Sequence, residues 1–282
     1  MKTIENISRM STFVKMMKKE GKSIGLVPTM GYLHEGHLSL IKAAKKHTDI
    51  VVISIFINPI QFGPKEDFEK YPRDLKRDEE MAREAGVDVI FYPSLKDMYP
   101  EGYATYVAVE KLTGNLCGES RPGHFRGVAT VVTKLFNIVK PEVAYFGQKD
   151  MQQAMMIKKM ASDLNMGVEV KIMPVVREKD GLAMSSRNMY LSDAERRDAA
   201  VLYQSLKNAE MLVKNGERDA GKVTKAVEDM IKSKQSARIE YVKLVDAREL
   251  SDVRMITGEI ALAVAVFFGN TRLVDNTTIM VK

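Results

Sequence analysis

Two of the four histidines in this 282-residue chain, His34 and His37, stand three apart in PTMGYLHEGHLSL (28–40). The stretch follows an apolar run, SIGLV, turns at glycines (Gly31 and Gly36), and leads into a helical pattern that begins near His37. Such a turn suits an anion. The first N–H groups of a helix have no intrahelical partner and the helix dipole adds partial positive charge there, so phosphate oxygens are favoured. Two imidazoles at i and i+3 add donors on one side, able to follow charge that develops on a transferring phosphoryl group without a permanent cation. The plainer alternative is that one histidine caps the helix and the other is a satisfied surface residue. A metal pair at this spacing has no apparent third ligand, and the pattern is neither GxGxxG nor a P-loop.

Three further stretches carry usable groups. INPIQFGPKEDFEKYPRD (57–74) follows an apolar strand and offers Asn58 and Gln61, neutral amides suited to hydroxyls or a carboxylate; alone it reads as an ordinary loop. FGQKDMQQ (146–153) places Lys149 at a helix start and Gln153 one turn on, where a lysine either binds phosphate or snorkels on the surface. MSSRN (184–188) gathers two hydroxyls and a guanidinium within three residues, a compact phosphate clamp or a turn leading into a helix. Their shared placement, after strands and near a change in chain character, is what favours chemistry.

That placement depends on the elements between them. The spacing predicts a helix over 7–20 closing at Gly21, a strand over 24–28, a helix over 37–47, a buried strand over 49–58, a helix over 74–86 and a strand over 88–93. The alternation continues with a strand at YATYVAVE (103–110), a helix over 128–140, a strand over 142–147, a helix over about 150–164 and a strand over 168–176. Strands alternating with helices imply a parallel sheet with helices on both faces and ligands at the carboxyl ends of the strands. Beyond Arg177 come the polar loop REKDGLAMSSRN, helical patterns over 193–215 and 220–234, and strands over 238–247, over 259–269 and in a short TTIMV. These read as a small α+β domain with an antiparallel sheet, so a boundary is expected near Val176 with the two domains meeting over the polar loop.

The totals narrow the setting. A single cysteine, Cys117, excludes an intrachain disulfide and a cysteine-based zinc site, and points to a reducing cytosol. The N-terminal MKTIENISRMSTFVKMMKKEGK lacks the apolar core of a secretion signal, and no apolar run reaches the length of a membrane span. The net charge of +6 is compatible with anionic small molecules or a solvated lysine surface. Lysines and arginines are dispersed, with no basic stripe interleaved with aromatics, which argues against nucleic acid.

Taken together, HEGH and MSSRN resemble the two signatures of the class I aminoacyl-tRNA synthetase and nucleotidylyltransferase superfamily, a His-x-Gly-His motif and a Lys-Met-Ser-Lys-Ser-like loop. More narrowly, PTMGYLHEGHLSL, NPIQFGPKEDFEKYPRD, RPGHFRGVATVV, YFGQKDMQQ and REKDGLAMSSRNMYLS are similar, in order, to the serial motifs of the pantothenate synthetase (pantoate–beta-alanine ligase) family, over residues 28–192. The resemblance implies a Rossmann-like ATP- and pantoate-binding domain (1–176) and a smaller C-terminal lid domain (177–282). It also implies a two-step reaction, in which pantoate and ATP give pantoyl adenylate and pyrophosphate, and β-alanine then takes the acyl group and releases AMP.

By the same resemblance Met30, Gly31, Tyr32, Leu33, His34, Glu35, Gly36 and His37 form the first ATP segment, with His37 in the position described as the proton donor. Gly147, Gln148, Lys149 and Asp150 hold the nucleotide, and Lys149 helps the α-phosphate through its transition state. The Val176 backbone contacts adenine, and Met184, Ser185, Ser186 and Arg187 close over the phosphates. Gln148 is a departure from the acidic residue of other members, beside an intact Lys149 and Asp150. Gln61 and Gln153 fix pantoate, with Gln61 near the β-alanine site; Asn58 and Arg121 join the substrate-binding groups. Mg²⁺ bridges the phosphates with Asp78 as its protein ligand, and a homodimer without nucleic-acid or membrane partners is implied. The rival readings are an enzyme that adenylates a phosphate-bearing cosubstrate, which would need more cations and no pair of pantoate-type glutamines, and a nucleic-acid-binding or tRNA-charging protein.

Overall fold

The apolar runs of the first half pair edge to edge. In a computed structural model, which describes residues 1–64 and 66–281, six strands form one parallel sheet: β1 (Lys2–Ile4), β2 (Ile24–Thr29), β3 (Ile50–Ile55), β4 (Val89–Phe91), β5 (Val143–Gly147) and β6 (Glu169–Met173), in the order β1-β4-β3-β2-β5-β6. The chain winds outward from β2 through β3 to β4, then returns to the far side of β2 for β5 and β6. The carboxyl ends of β2 and β5 therefore flank the point where winding reverses, the position at which open α/β sheets bind ligands.

Because successive strand residues point to opposite faces, each strand feeds two cores. Leu26 and Val52 join one core with Met10 and Val14 of α1 (Ile7–Lys19), while Val27 and Ile53 join the other with Ile41 of α2 (Glu35–His47) and Ala82 of α3 (Leu75–Glu84). After the short helices α4 (Leu95–Met98) and α5 (Cys117–Ser120), α6 (His124–Val139) and α7 (Met151–Asp163) add Phe125, Val132, Phe136, Ile157 and Met160 to the first core.

The chain divides into two compact units. The first comprises Met1–Thr113, Cys117–Gly147 and Gln153–Pro174; the second comprises Gly114–Leu116, Gln148–Gln152 and the chain from Val175 on. The second holds α8 (Asp193–Ala199), α9 (Val201–Lys214), α10 (Ala220–Lys232) and an antiparallel sheet of β7 (Ala237–Asp246), β8 (Glu259–Phe268) and β9 (Thr271–Met280). Its core sets Leu206, Val223, Val227 and Ile231 of the helices against Leu262, Val264 and Val266 of β8.

Several elements differ from expectation. Residues 103–110 join no sheet: Val107 N–H instead donates to Thr130 Oγ1 at 2.9 Å, a side-chain acceptor on α6 that replaces a strand partner. The three-residue β1 pairs with β4 although it is too short for any periodicity. The closing strand is ten residues long, because the turn at Gly269 (φ +56) starts pairing at once from Thr271. Residues 114–116 and 148–152 group with the second unit, where a single division near Val176 left them with the first. Among the described residues no helix is long and apolar enough to cross a membrane.

Candidate active site

The loop after β2 is shaped by one glycine. Gly31 has φ +84, and a Cβ there would lie 2.9 Å from both Asp78 Oδ2 and Ile55 Cγ2. Tyr32 follows with φ 49, also left-handed and costly for a side chain. Thr29 Oγ1 donates to Ser54 O at 2.7 Å and accepts Gly31 N–H at 3.1 Å, fixing where the loop leaves the strand. Gly36 contributes no left-handed turn and lies inside α2, which begins at Glu35, two residues before the expected start near His37.

The earlier start comes from the histidines. His34 is the N-cap, its Nδ1 accepting Gly36 N–H at 3.1 Å, and His37 Nδ1 reaches back to accept His34 N–H at 3.4 Å. This is a capping box built from two imidazoles. Capping and donation are thus compatible: a neutral ring whose Nδ1 accepts carries its proton on Nε2. The two ring centroids lie 4.0 Å apart, so both imidazoles sit together at the helix N-terminus.

Asp78 and Arg77, on α3, hold the same loop from behind. The Asp78 carboxylate, 1% exposed, accepts Tyr32 N–H and Leu33 N–H, each at 2.7 Å. Arg77 donates to Leu33 O at 2.9 Å and lies 4.6 Å from the Tyr32 ring centroid. Burial pushes the Asp78 carboxyl above its usual range, against the opposing pull of the Leu33 and Tyr32 N–H groups. A protein-held Mg²⁺ does not fit here, because both Asp78 oxygens are buried and turned to main-chain donors. Among the described residues no group of three or more His, Cys, Asp and Glu side chains could hold a metal ion. A cavity of about 650 Å³ opens beside the loop, lined by Met30, Gly31, Tyr32, Ile57, Pro59 and Asp78 among others.

Gln61 ends a 3-10 turn, Pro59–Gln61, pressed against α6. Gly127 makes that approach feasible: a Cβ there would lie 2.4 Å from Ile60 O and 2.6 Å from Gln61 Cα. The Gln61 carbonyl meets His124 Nδ1 at 2.8 Å, so this nitrogen carries the proton and Nε2 faces Arg121 at 3.1 Å. Arg121 in turn grips both Glu66 oxygens, at 2.7 and 2.5 Å. Burial acts to raise the Glu66 pKa, but the hydrogen bonds and charge of Arg121 outweigh it and hold it below the ordinary value. Asn58 is buried, with its amide on Gln61 Oε1, Gly127 O and the Tyr99 hydroxyl. Asn58 and Arg121 therefore spend these groups on the protein itself. Gly147 ends β5 and Gln153 lies half-buried on α7.

In the second unit, Lys149 lies in a 3-10 turn, Gln148–Asp150, its Nζ 3.7 Å from Asp150 Oδ1. Asn276 of β9 donates to the carbonyls of Gln148 (2.8 Å) and Lys149 (2.9 Å), which fixes the backbone that carries the lysine. Met184 N–H donates to Val176 O at 2.9 Å across a bridge of Arg177 with Ala183, so two segments eight residues apart lie side by side. Ser185 Oγ accepts Arg187 N–H at 3.2 Å and starts the 3-10 turn Ser186–Tyr190. Asn188 ties this turn to Glu178 Oε1 and Ala183 O. Arg177 pairs with buried Asp275 at 2.6 Å; burial pushes that carboxyl up, with Arg177 pulling it down. Nothing in the local sequence marks Asp78, His124, Tyr99 and Asn276 as supporting residues.

Comparison with known proteins gives one answer. A family described as Pantoate-beta-alanine ligase matches residues 2–278. The chain is 58% identical over 281 residues to the pantothenate synthetase of Acetivibrio thermocellus, covering 100% of both, and 60% identical over 270 residues to that of Pelotomaculum thermopropionicum, covering 96% of both. Its structure is similar to pantothenate synthetase from Thermus thermophilus, with a TM-score of 0.94 and 43% identity over 98% of this chain and 99% of that one. It is also similar to pantoate-beta-alanine ligase from Francisella tularensis complexed with beta-gamma ATP and beta-alanine, with a TM-score of 0.80 and 34% identity over 98% and 97% of the two chains.

Proposed function

The chain belongs to the pantoate–beta-alanine ligase family, and we propose that it condenses pantoate with β-alanine through a pantoyl adenylate, consuming ATP and releasing AMP and pyrophosphate. The observation that carries this mechanism is the two-histidine cap at the end of β2, which supports donation of two Nε2–H groups to phosphate oxygens at a helix N-terminus.

A carboxylate is a poor acyl donor because its leaving group would be oxide. Attack of a pantoate carboxylate oxygen on the α-phosphate expels pyrophosphate and yields a mixed anhydride, from which AMP leaves readily when the β-alanine amine attacks the acyl carbon. The first barrier is charge growing on phosphate oxygens. His34 and His37 meet that charge with neutral donors and Lys149 meets it with a full cation, its backbone held by Asn276. Met30–His37 and Gly147–Asp150 bind the nucleotide, the Val176 backbone contacts adenine, and Met184, Ser185, Ser186 and Arg187 bind the phosphates. Gln61 and Gln153 fix pantoate so that its carboxylate faces the α-phosphate. Mg²⁺ enters as part of the MgATP substrate. The enzyme works in the cytoplasm as a homodimer, which light scattering would check.

The deciding experiment follows oxygen. With carboxyl-¹⁸O pantoate, the bridging oxygen stays with AMP when the amine attacks the acyl carbon, so labelled AMP is expected. Pyrophosphate should also exchange into ATP when pantoate is present and β-alanine absent, and exchange should vanish without pantoate. Formation of ADP, or label in inorganic phosphate, would overturn the adenylate route.

A further inference from the structure

A main-chain carbonyl sets the polarity of a buried amide chain beside Gln61. Gly127 O can only accept, so the atom of Asn58 facing it at 3.1 Å is the amide nitrogen. Asn58 Oδ1 then faces the Tyr99 hydroxyl, which donates to it at 2.8 Å. The same Asn58 nitrogen meets Gln61 at 3.1 Å, and the atom it meets must be the acceptor, Oε1. Gln61 is left with its oxygen turned inward and its N–H₂ turned toward Met30, whose thioether sulfur lies 3.1 Å away and is a weak acceptor. Asn58 is 1% exposed, so no solvent competes for these bonds. Burial also pushes the Tyr99 phenol further above its usual range, which keeps the donor proton in place.

We propose that Tyr99 is a positioning residue for the ligation: through Asn58 it holds the Gln61 amide with its N–H₂ outward, so that Gln61 recognises pantoate as a donor to an acceptor oxygen. The inference rests on the assignment of Gln61 to pantoate. Without the Tyr99 hydroxyl, Asn58 Oδ1 loses its donor and the two amides are free to turn. A turned Gln61 would set its carbonyl oxygen against an anionic substrate. Tyr99 therefore selects for pantoate without touching it, from a position 41 residues from Asn58 in sequence.

The test is a set of Michaelis constants for pantoate and for ATP on the full-length enzyme, with melting curves, for Tyr99→Phe, Asn58→Asp, Gln61→Glu, Gln61→Ala and the double variant Tyr99→Phe/Gln61→Ala. Gln61→Ala is expected to raise KM for pantoate about thirtyfold, and Tyr99→Phe about fivefold, the size of one net hydrogen bond, with KM for ATP unmoved in both. Gln61→Glu keeps the acceptor toward Asn58 but has no donor to offer, so it should bind pantoate no better than Gln61→Ala. In the double variant the tyrosine change should add nothing, since its effect runs through Gln61. A general packing defect would instead multiply with the glutamine change. A Tyr99→Phe enzyme with parental KM for pantoate, or effects that multiply in the double variant, would overturn the relay while leaving Gln61 in place. Parental affinity in Gln61→Glu would overturn the donor polarity. Parental affinity in Gln61→Ala would overturn the assignment of Gln61 to pantoate, and the relay with it. If Asn58→Asp fails to fold, Tyr99→Phe, which removes one atom from a half-buried ring, decides alone.

Discussion

Replacing Asp78 by asparagine separates two roles that a carboxylate near a phosphate-binding loop could play. The parent carboxylate accepts Tyr32 N–H and Leu33 N–H at 2.7 Å each, in a site with 1% exposure. In Asp78→Asn one of those acceptors becomes an N–H₂ group facing another N–H. A hydrogen bond to a charged group contributes about 1.5–3 kcal/mol and a neutral one about 1 kcal/mol, so one strong bond is lost and the other is roughly halved. Part of this is offset because asparagine needs no buried charge. The expected net destabilisation is about 2 kcal/mol, or roughly 4–8 °C in melting temperature at this chain size. The loop it releases contains two left-handed residues, Gly31 and Tyr32, so kcat/KM for ATP should fall as well. Calorimetry combined with pyrophosphate exchange at varied Mg²⁺ reads both effects. The Mg²⁺ concentration for half-maximal exchange should match the parent. A variant that melts like the parent but needs more Mg²⁺ would refute the clamp and make Asp78 a metal ligand.

Three other outcomes are expected. Lys149→Ala should lose about a hundredfold or more in adenylate formation with an unchanged melting curve; parental turnover would reduce Lys149 to a surface charge. Gly127→Ala forces a Cβ against Ile60 O and Gln61 Cα, so it should cost about 1–3 kcal/mol of stability and raise KM for pantoate; unaltered values in both would show that the turn yields easily. The folded-state pKa of Glu66 lies below its ordinary value of 4.5, so its contribution is present above that value and disappears as pH falls through the lowered folded pKa. The gap in unfolding free energy between parent and Glu66→Gln, on the order of 1 kcal/mol at pH 7, should therefore close in acid, below the ordinary carboxylate value, and a gap that persists there would sink the assignment.

What could be read in the sequence is what repeats or clusters locally. The Ile/Val run of β3 and the helix–strand alternation mark a parallel sheet because its strands are buried on both faces. HEGH and MSSRN declare themselves because their groups lie within a few residues of one another. The three residues of β1 are invisible because their identity as a strand exists only in pairing with β4. Residues 103–110 have the alternation of a strand, yet no neighbouring strand offers them a ladder, and Thr130 takes the Val107 N–H. Asp78 is expected from sequence as a Mg²⁺ ligand, since nothing local reveals that its partners are main-chain N–H groups 45 and 46 residues away. Asn276 is separated by 127 residues from the Lys149 carbonyl it supports. The candidate motifs are local; the residues that hold those motifs are distant, and sequence spacing carries no trace of them.

The two-imidazole cap ties the timing of helix fraying to any acid step. While His37 Nδ1 accepts the His34 N–H, the ring is neutral, and giving up its Nε2 proton outright would leave an imidazolate. To deliver a proton in full, His37 must first gain one on Nδ1, and an N–H there can no longer accept from His34. Each such event would break half of the capping box and loosen the first turn of α2, then restore both as the proton leaves. A hydrogen bond donated from Nε2 asks for no such opening. Turnover that leaves amide exchange at His34 unchanged would mark the histidines as fixed dipoles, and exchange that quickens with turnover would mark a helix end that opens once per adenylate.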